Sequence, residues 1–185
     1  METHKNSRKE FIGIRRCRDS EIKEAGLFYD RVILWLNDHT NYPRWIFGIY
    51  PSEQSVRRMM ESRSQYLCIK DSAIIGAFAL SEEPQGDYQS APWKHPLPIG
   101  SYLVLHALAV DPSLQRTGLG SKVLQFAIQR AKEEGYRALR ADIVPDNLPA
   151  RKLFEKNGFV YAGDADLKLK ITDIPAFSLY EMYWQ

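Results

Sequence analysis

Apolar and polar positions along the chain switch between a period near two and a period near four, and each switch marks an element. Phe11 to Arg15 alternates as a short strand. Asp19 or Ser20 is placed to cap a helix over Glu21 to Asn37, which carries Leu27, Phe28, Val32, Leu34 and Trp35. Asn41 to Pro51 is turn-rich and aromatic, and Pro51-Ser52 followed by Glu53-Gln54 reads as the start of a second helix ending near Ser64. Gln65 to Lys70 and Ala73 to Ser81 are β-rich runs separated by Asp71-Ser72, a hairpin with a tight turn.

The pattern then breaks. Glu82 to Gly100 holds four prolines, two glycines and the aromatics Tyr88 and Trp93, which predicts a long loop, and the aromatics point to a functional lid. Ser101 to Val110 is a nearly unbroken apolar run, as in a central strand covered on both faces. Leu119, Val123, Leu124, Ala127, Ile128 and Ala131 repeat at helical spacing, and Gly135 is placed to end that helix. A strand over Arg137 to Ile143 follows. Asn147 as N-cap and Asn157-Gly158 as stop delimit a helix over Leu148 to Lys156, and strands are expected near Phe159 to Ala162 and Phe177 to Trp184. The sum is a mixed α/β domain spanning residues 11–185 behind a polar, disordered lead, Met1 to Glu10.

Composition narrows the class. At 185 residues, 44% hydrophobic and 26% charged, the chain has the profile of a folded protein with one core. A net charge of +2 gives no field for non-specific nucleic-acid binding, and Arg15, Arg16 and Arg18 read as the solvated end of a strand. No apolar run approaches a membrane span, and Cys17 and Cys68 form neither a disulfide framework nor a metal-ligand set, which suits a cytoplasmic protein without a metal.

The chemistry gathers at Gln115-Arg116-Thr117-Gly118-Leu119-Gly120-Ser121, between a buried strand and an amphipathic helix. Glycines there let the backbone approach a ligand, and unpaired amides at the positive end of the helix dipole favour an anion such as a pyrophosphate. A P-loop needs Lys directly after the second glycine and finds Ser121. A dinucleotide fold needs a third small residue and finds Val123.

The stretch resembles the signature of the GNAT acetyltransferases: Gln or Arg, two residues, Gly, one residue, then Gly or Ala. The resemblance continues through Leu108-Ala109-Val110-Asp111-Pro112 upstream and through Asn147, Ala150 and Phe154 to Phe159 downstream. It implies a central, mostly antiparallel sheet of six to seven strands flanked by about four helices, with acetyl-CoA as cosubstrate and an amine as acceptor. It implies further that the main chain of Leu108, Ala109 and Val110 holds the pantetheine arm. Amides from Arg116 to Ser121 would hold the pyrophosphate, and Asn147 would contact the arm or serve only as N-cap. A homodimer is common in the family.

The implied reaction is direct attack of a primary amine on the thioester through an oxyanion intermediate, with the Val110 amide as a donor. Asp142, at the end of the strand before Asn147, is the first candidate base and His106 the second. Glu82 and Glu83 are candidates for an acidic entry, and the first two helices with the long loop are expected to line the acceptor side. One position departs from the family: Phe154 stands in the cofactor region where a tyrosine acid is usual. The departure leaves a second implied function, a degenerate domain that holds acetyl-CoA as a sensor without turnover. It also leaves Tyr161 as a substitute proton donor.

Overall fold

In the computed structural model, residues 12–169 and 173–185 are described, and the expected polar lead lies outside them. Seven strands form one sheet: β1 (Gly13–Arg16), β2 (Gln65–Lys70), β3 (Ala73–Ser81), β4 (Tyr102–Val110), β5 (Ala138–Ile143), β6 (Val160–Ala165) and β7 (Phe177–Tyr183), in spatial order β1-β2-β3-β4-β5-β7-β6. Four α-helices accompany them: α1 (Ile22–Asn37), α2 (Glu53–Glu61), α3 (Leu119–Glu133) and α4 (Leu148–Lys156). Every neighbouring pair is antiparallel except β4 and β5.

The hairpin between β2 and β3 turns at Asp71 and Ser72, both at positive φ (48° and 67°), as its tight turn demands. The last helix matches the expected bounds. The sixth strand differs, starting at Val160 and running on to Ala165. Its longer run follows from pairing with β7 through Ala165, a partner that local sequence does not reveal.

Alternation along the strands divides the core by face. Tyr66, Cys68, Leu103, Leu105 and Leu139 point to the side covered by α3 and α4, where Val123, Leu124, Ala127 and Phe154 meet them. Leu67, Ala77 and Ala109 point to the opposite side, under Ala25, Phe28 and Val32 of α1 and Val56 of α2. Each large apolar side chain so buried contributes about 1.5–3 kcal/mol relative to exposure.

The helices α1 and α2 cover only half of that second face. Tyr102, Val104, Ala138 and Leu179 on the other half are covered by Tyr88 and Leu97 of the long 82–100 segment and by Leu167, Ile174 and Phe177. The segment is therefore a strap packed onto the sheet, which corrects the expectation of a lid. Its anchor is Arg140, 1% exposed, whose guanidinium lies between the rings of Trp93 (4.3 Å) and Tyr102 (4.1 Å). The same group pairs with Glu181 at 2.9 Å and donates to the His95 carbonyl at 2.5 Å, so the buried charge is both paired and hydrogen-bonded.

Candidate active site

Strands β4 and β5 pair only from Tyr102–Ala138 to Val104–Arg140, after which they diverge. Beyond that point β4 stays on β3 as far as Val110, and β5 stays on β7 as far as Ile143. A wedge opens in the middle of the sheet, and the β4 main chain facing it has no strand partner. A bulge between Ala77–Ala109 and Ala79–His106 helps bend β4 away. Its centre, Ala107, sits at φ 49°, a left-handed conformation costing about 1–3 kcal/mol, and its carbonyl accepts a hydrogen bond from the Tyr29 hydroxyl at 2.9 Å.

The wedge continues into a cavity of about 990 Å³. Leu108, Ala109 and Val110 line it from β4, and Gln115, Arg116, Gly118, Leu119, Gly120 and Ser121 from the turn and the first turn of α3. Asn147 and Phe154 line it from the α4 side. Thr117 does not; it is exposed, and its hydroxyl and amide both bond to the Leu114 carbonyl, closing the turn. The turn is held open by Arg116 and Gly118 at positive φ (62° and 88°).

The first helix-to-turn bond of α3 runs from the Lys122 amide to the Gly118 carbonyl, which leaves the amides of Leu119, Gly120 and Ser121 without a main-chain acceptor. Gly120 also allows α3 to approach α4, since a Cβ there would lie 3.0 Å from Leu153. Asn157 ties the same region together by donating to Ser121 Oγ at 3.1 Å. Asn147 is the N-cap of α4, accepting from the Ala150 amide at 3.2 Å, and it faces the cavity as well.

Sequence reasoning missed two cations. Lys152 and Lys156, both exposed, line the cavity from α4, as Arg116 does from the turn. Their signal was available: an i, i+4 pair on the helix that follows Asn147 projects from one helical face.

Across the wedge the structure brings the two candidate bases together. His106 Nδ1 lies 3.9 Å from Asp142 Oδ1, with side chains 9% and 13% exposed. Asp142 also accepts a hydrogen bond from the hydroxyl of Tyr88, on the strap. Burial lowers the His106 pKa below its ordinary value, with the Asp142 charge partly opposing, so the ring is neutral at pH 7. His106 Nε2 is buried with no hydrogen-bond partner. Burial, reinforced by the Asp142 charge, raises the phenols of Tyr88 and Tyr50, which keeps both protonated.

Several other expectations fail on placement. Glu82 accepts from the Tyr136 hydroxyl at the opposite end of β4 and β5, and neither it nor Glu83 lines the cavity. Helix α2 contributes no lining residue and the strap only Gln85. Of the elements expected there α1 does line the cavity, through Val32, Trp35 and Leu36, and residues 39–50 with Leu169, Ile174 and Phe177 complete that wall. Tyr161 lies outside the cavity, beside the Arg151 guanidinium at 5.8 Å and the Tyr180 ring. Cys17 and Cys68 are buried, and desolvation pushes their thiols up to about 11 and about 12.

A wedge between parallel strands, ending at a glycine turn with free amides, is a site suited to an extended ligand that carries an anionic group. Residues 32–159 match the acetyltransferase (GNAT) family model, and the chain belongs to that family. A curated relative, "Putative phosphinothricin acetyltransferase YwnH" of Bacillus subtilis (strain 168), is 36% identical over 72 residues. That match spans 37% of this chain and 44% of the relative, less than half its length.

Solved structures share the fold. A GNAT-family acetyltransferase of Streptococcus agalactiae 2603 superposes with a TM-score of 0.76 at 18% identity, over 94% of this chain and 96% of that one. YncA of Salmonella typhimurium, solved with its cofactor acetyl-CoA, gives 0.66 at 15% identity over 94% of each chain. Among the described residues no cluster of His, Cys, Asp and Glu could hold a metal ion, and no helix is long and apolar enough to cross a membrane.

Proposed function

We propose that this chain is an N-acetyltransferase that moves an acetyl group from acetyl-CoA to a primary amine by direct attack. The observation that carries the reading is the juxtaposition of free loop amides with a buried His106–Asp142 pair across one wedge.

The residues fit the cosubstrate. Free amides at Leu119, Gly120 and Ser121, at the positive end of α3, face a pyrophosphate, and Arg116, Lys152 and Lys156 supply charge for its phosphates. The unpartnered β4 edge at Leu108, Ala109 and Val110 offers main-chain groups to the pantetheine amides. Acetyl-CoA supplies an activated acetyl thioester: a C–N bond forms, the C–S bond breaks, and the sulfur leaves as thiolate.

The protein then has to place the protons of the incoming ammonium. His106, neutral through burial and with Nε2 unengaged, is suited to accept one, and the second passes from the intermediate's nitrogen to solvent as the C–S bond breaks. Asp142 steadies the resulting imidazolium at ion-pair distance, and Tyr88 holds the carboxylate in place. The Val110 amide is positioned as a donor to the carbonyl oxygen. Phe154 is buried against Phe159 and Tyr180 and donates nothing, so the thiolate departs without a tyrosine acid. An alkyl thiol has a pKa of about 8.5, which makes that departure feasible near neutral pH.

Phosphinothricin, the compound in the relative's name, carries two acidic groups. The acceptor side offers them one guanidinium, Arg44, already held by Asp146 at 3.0 Å. The test is release of free CoA from acetyl-CoA across polyamines, amino acids, arylalkylamines and peptide N-termini. Amine-dependent release supports the reading; saturable acetyl-CoA binding with no release on any amine supports a sensor instead.

A further inference from the structure

The acceptor half of the cavity differs in chemistry from the half given to acetyl-CoA. Its walls are Trp35, Tyr42, Trp45, Ile46, Ile49 and Phe177. Ile46 and Ile49 flank Gly48, at φ 72°, in a small turn closed by the bridge between Ile46 and Tyr50. Ile46, Phe47 and Ile49 are 57%, 50% and 64% exposed among the described residues, so Ile46 and Ile49 of the cavity wall stand with Phe47 as three exposed large apolar side chains within four residues. Isolated exposed apolar residues are ordinary, but a contiguous group on the rim of a cavity marks a surface that a ligand covers.

The charges in this half are few and placed at its ends. Asp142 is the single carboxylate that lines the cavity among the described residues, and it sits at the inner end beside His106. At the outer end the Arg44 guanidinium bonds Asp146 Oδ2 at 3.0 Å and the Asp173 carbonyl at 2.5 Å. His39 is stacked on Trp35 at 3.9 Å and bonded through Nδ1 to the Trp35 carbonyl. An amino acid would have to take Arg44 from Asp146 to pair its carboxylate. A polyamine would lay a second ammonium along a wall whose one lining carboxylate, Asp142, already faces the first, with Asp146 at the outer end paired to Arg44.

We propose that the acceptor is a primary amine carried on an apolar, ring-sized group, without a carboxylate or a second ammonium: an arylalkylamine. The proposal rests on the acetyl-transfer reading above. The ammonium is drawn to Asp142 and His106, and the ring lies among Trp45, Ile46, Ile49 and Phe177, where edge and face contacts with aromatic walls add to burial.

Binding and turnover are measured separately, so the two readings can fail independently. Calorimetric titration of 2-phenylethylamine, spermidine and glutamic acid into the CoA complex is expected to favour 2-phenylethylamine by about tenfold or more, the yield of burying one ring-sized apolar group. Ile49→Asp and Ile46→Asp, at exposed positions that leave the core intact, should remove most of that preference with melting temperature unchanged. CoA release from acetyl-CoA should follow the same order of amines.

Selective 2-phenylethylamine binding with no CoA release on any amine would leave the ligand class standing and remove the acetyl-transfer reading. Faster acetylation of spermidine or glutamic acid would do the reverse, as would absence of 2-phenylethylamine binding beside turnover of another amine. If Ile49→Asp keeps wild-type affinity for 2-phenylethylamine but lowers the sedimenting mass, the patch joins two copies of this chain and the proposal is overturned.

Discussion

The two halves of the cavity are built by different means. The half proposed for acetyl-CoA comes from one continuous stretch, β4 through α3, together with α4, and it presents mostly main chain: a strand edge and free helix amides. The half proposed for the acceptor is assembled from α1, residues 39–50, His106, Asp142, Leu169, Ile174 and Phe177, and it presents side chains. Backbone recognition is indifferent to most side chains and so is compatible with many sequences. On the proposed assignment, side-chain recognition would set the acceptor and could change without disturbing the cosubstrate site.

That contrast implies that substitutions should separate cleanly. The largest effects fall on the proton path: His106→Ala and Asp142→Asn should each lower kcat about 10²- to 10⁴-fold, with acetyl-CoA affinity little changed. Comparable losses in both quantities would break the division. The pH profile adds a sign. Because burial lowers the His106 pKa, the acid limb of kcat/KM should lie below about 6.5, the ordinary histidine value. Asp142 opposes that lowering, so Asp142→Asn should move the limb further toward acid, where a limb due to the Asp142 carboxyl would vanish.

A smaller effect belongs to the other half. Lys152→Glu with Lys156→Glu should weaken acetyl-CoA about tenfold, less at high salt, while leaving the ranking of amines intact. Titrations at two ionic strengths check it. The smallest concerns Phe154. Phe154→Tyr should leave steady-state turnover within severalfold of wild type, because the thiolate is already a workable leaving group. A recovery of turnover from nothing in Phe154→Tyr would make the native chain a sensor.

The same division explains what could be read before the structure. The turn at Gln115 to Ser121 and the Asn147 helix were legible as structure because glycines and caps encode local main-chain geometry directly. The hairpin turn at Asp71-Ser72 was legible for the same reason. Glu82, Glu83 and the strap were misplaced because neighbours in sequence there diverge in space: β3 carries Glu82 to the closed end of the sheet, away from the wedge. Tyr88 was noticed as an aromatic, yet its bond to Asp142 spans 54 positions and follows from which half of the sheet lacked a helix to cover it. His106 and Asp142 were read as rivals because a parallel pairing between β4 and β5 cannot be registered from sequence, and in space they are neighbours.

The central claim is that the free amides of the α3 turn bind acetyl-CoA, and thermal melting with and without it tests this most directly. At about 100 times the dissociation constant, linkage predicts a gain of about 2.7 kcal/mol in wild type. In Gly120→Asp a carboxylate stands against the pyrophosphate position and presses on Leu153, so its melting without acetyl-CoA is recorded as its own baseline and no further gain is expected. A wild-type melting curve unmoved by acetyl-CoA, or a full shift retained in Gly120→Asp, would contradict the account.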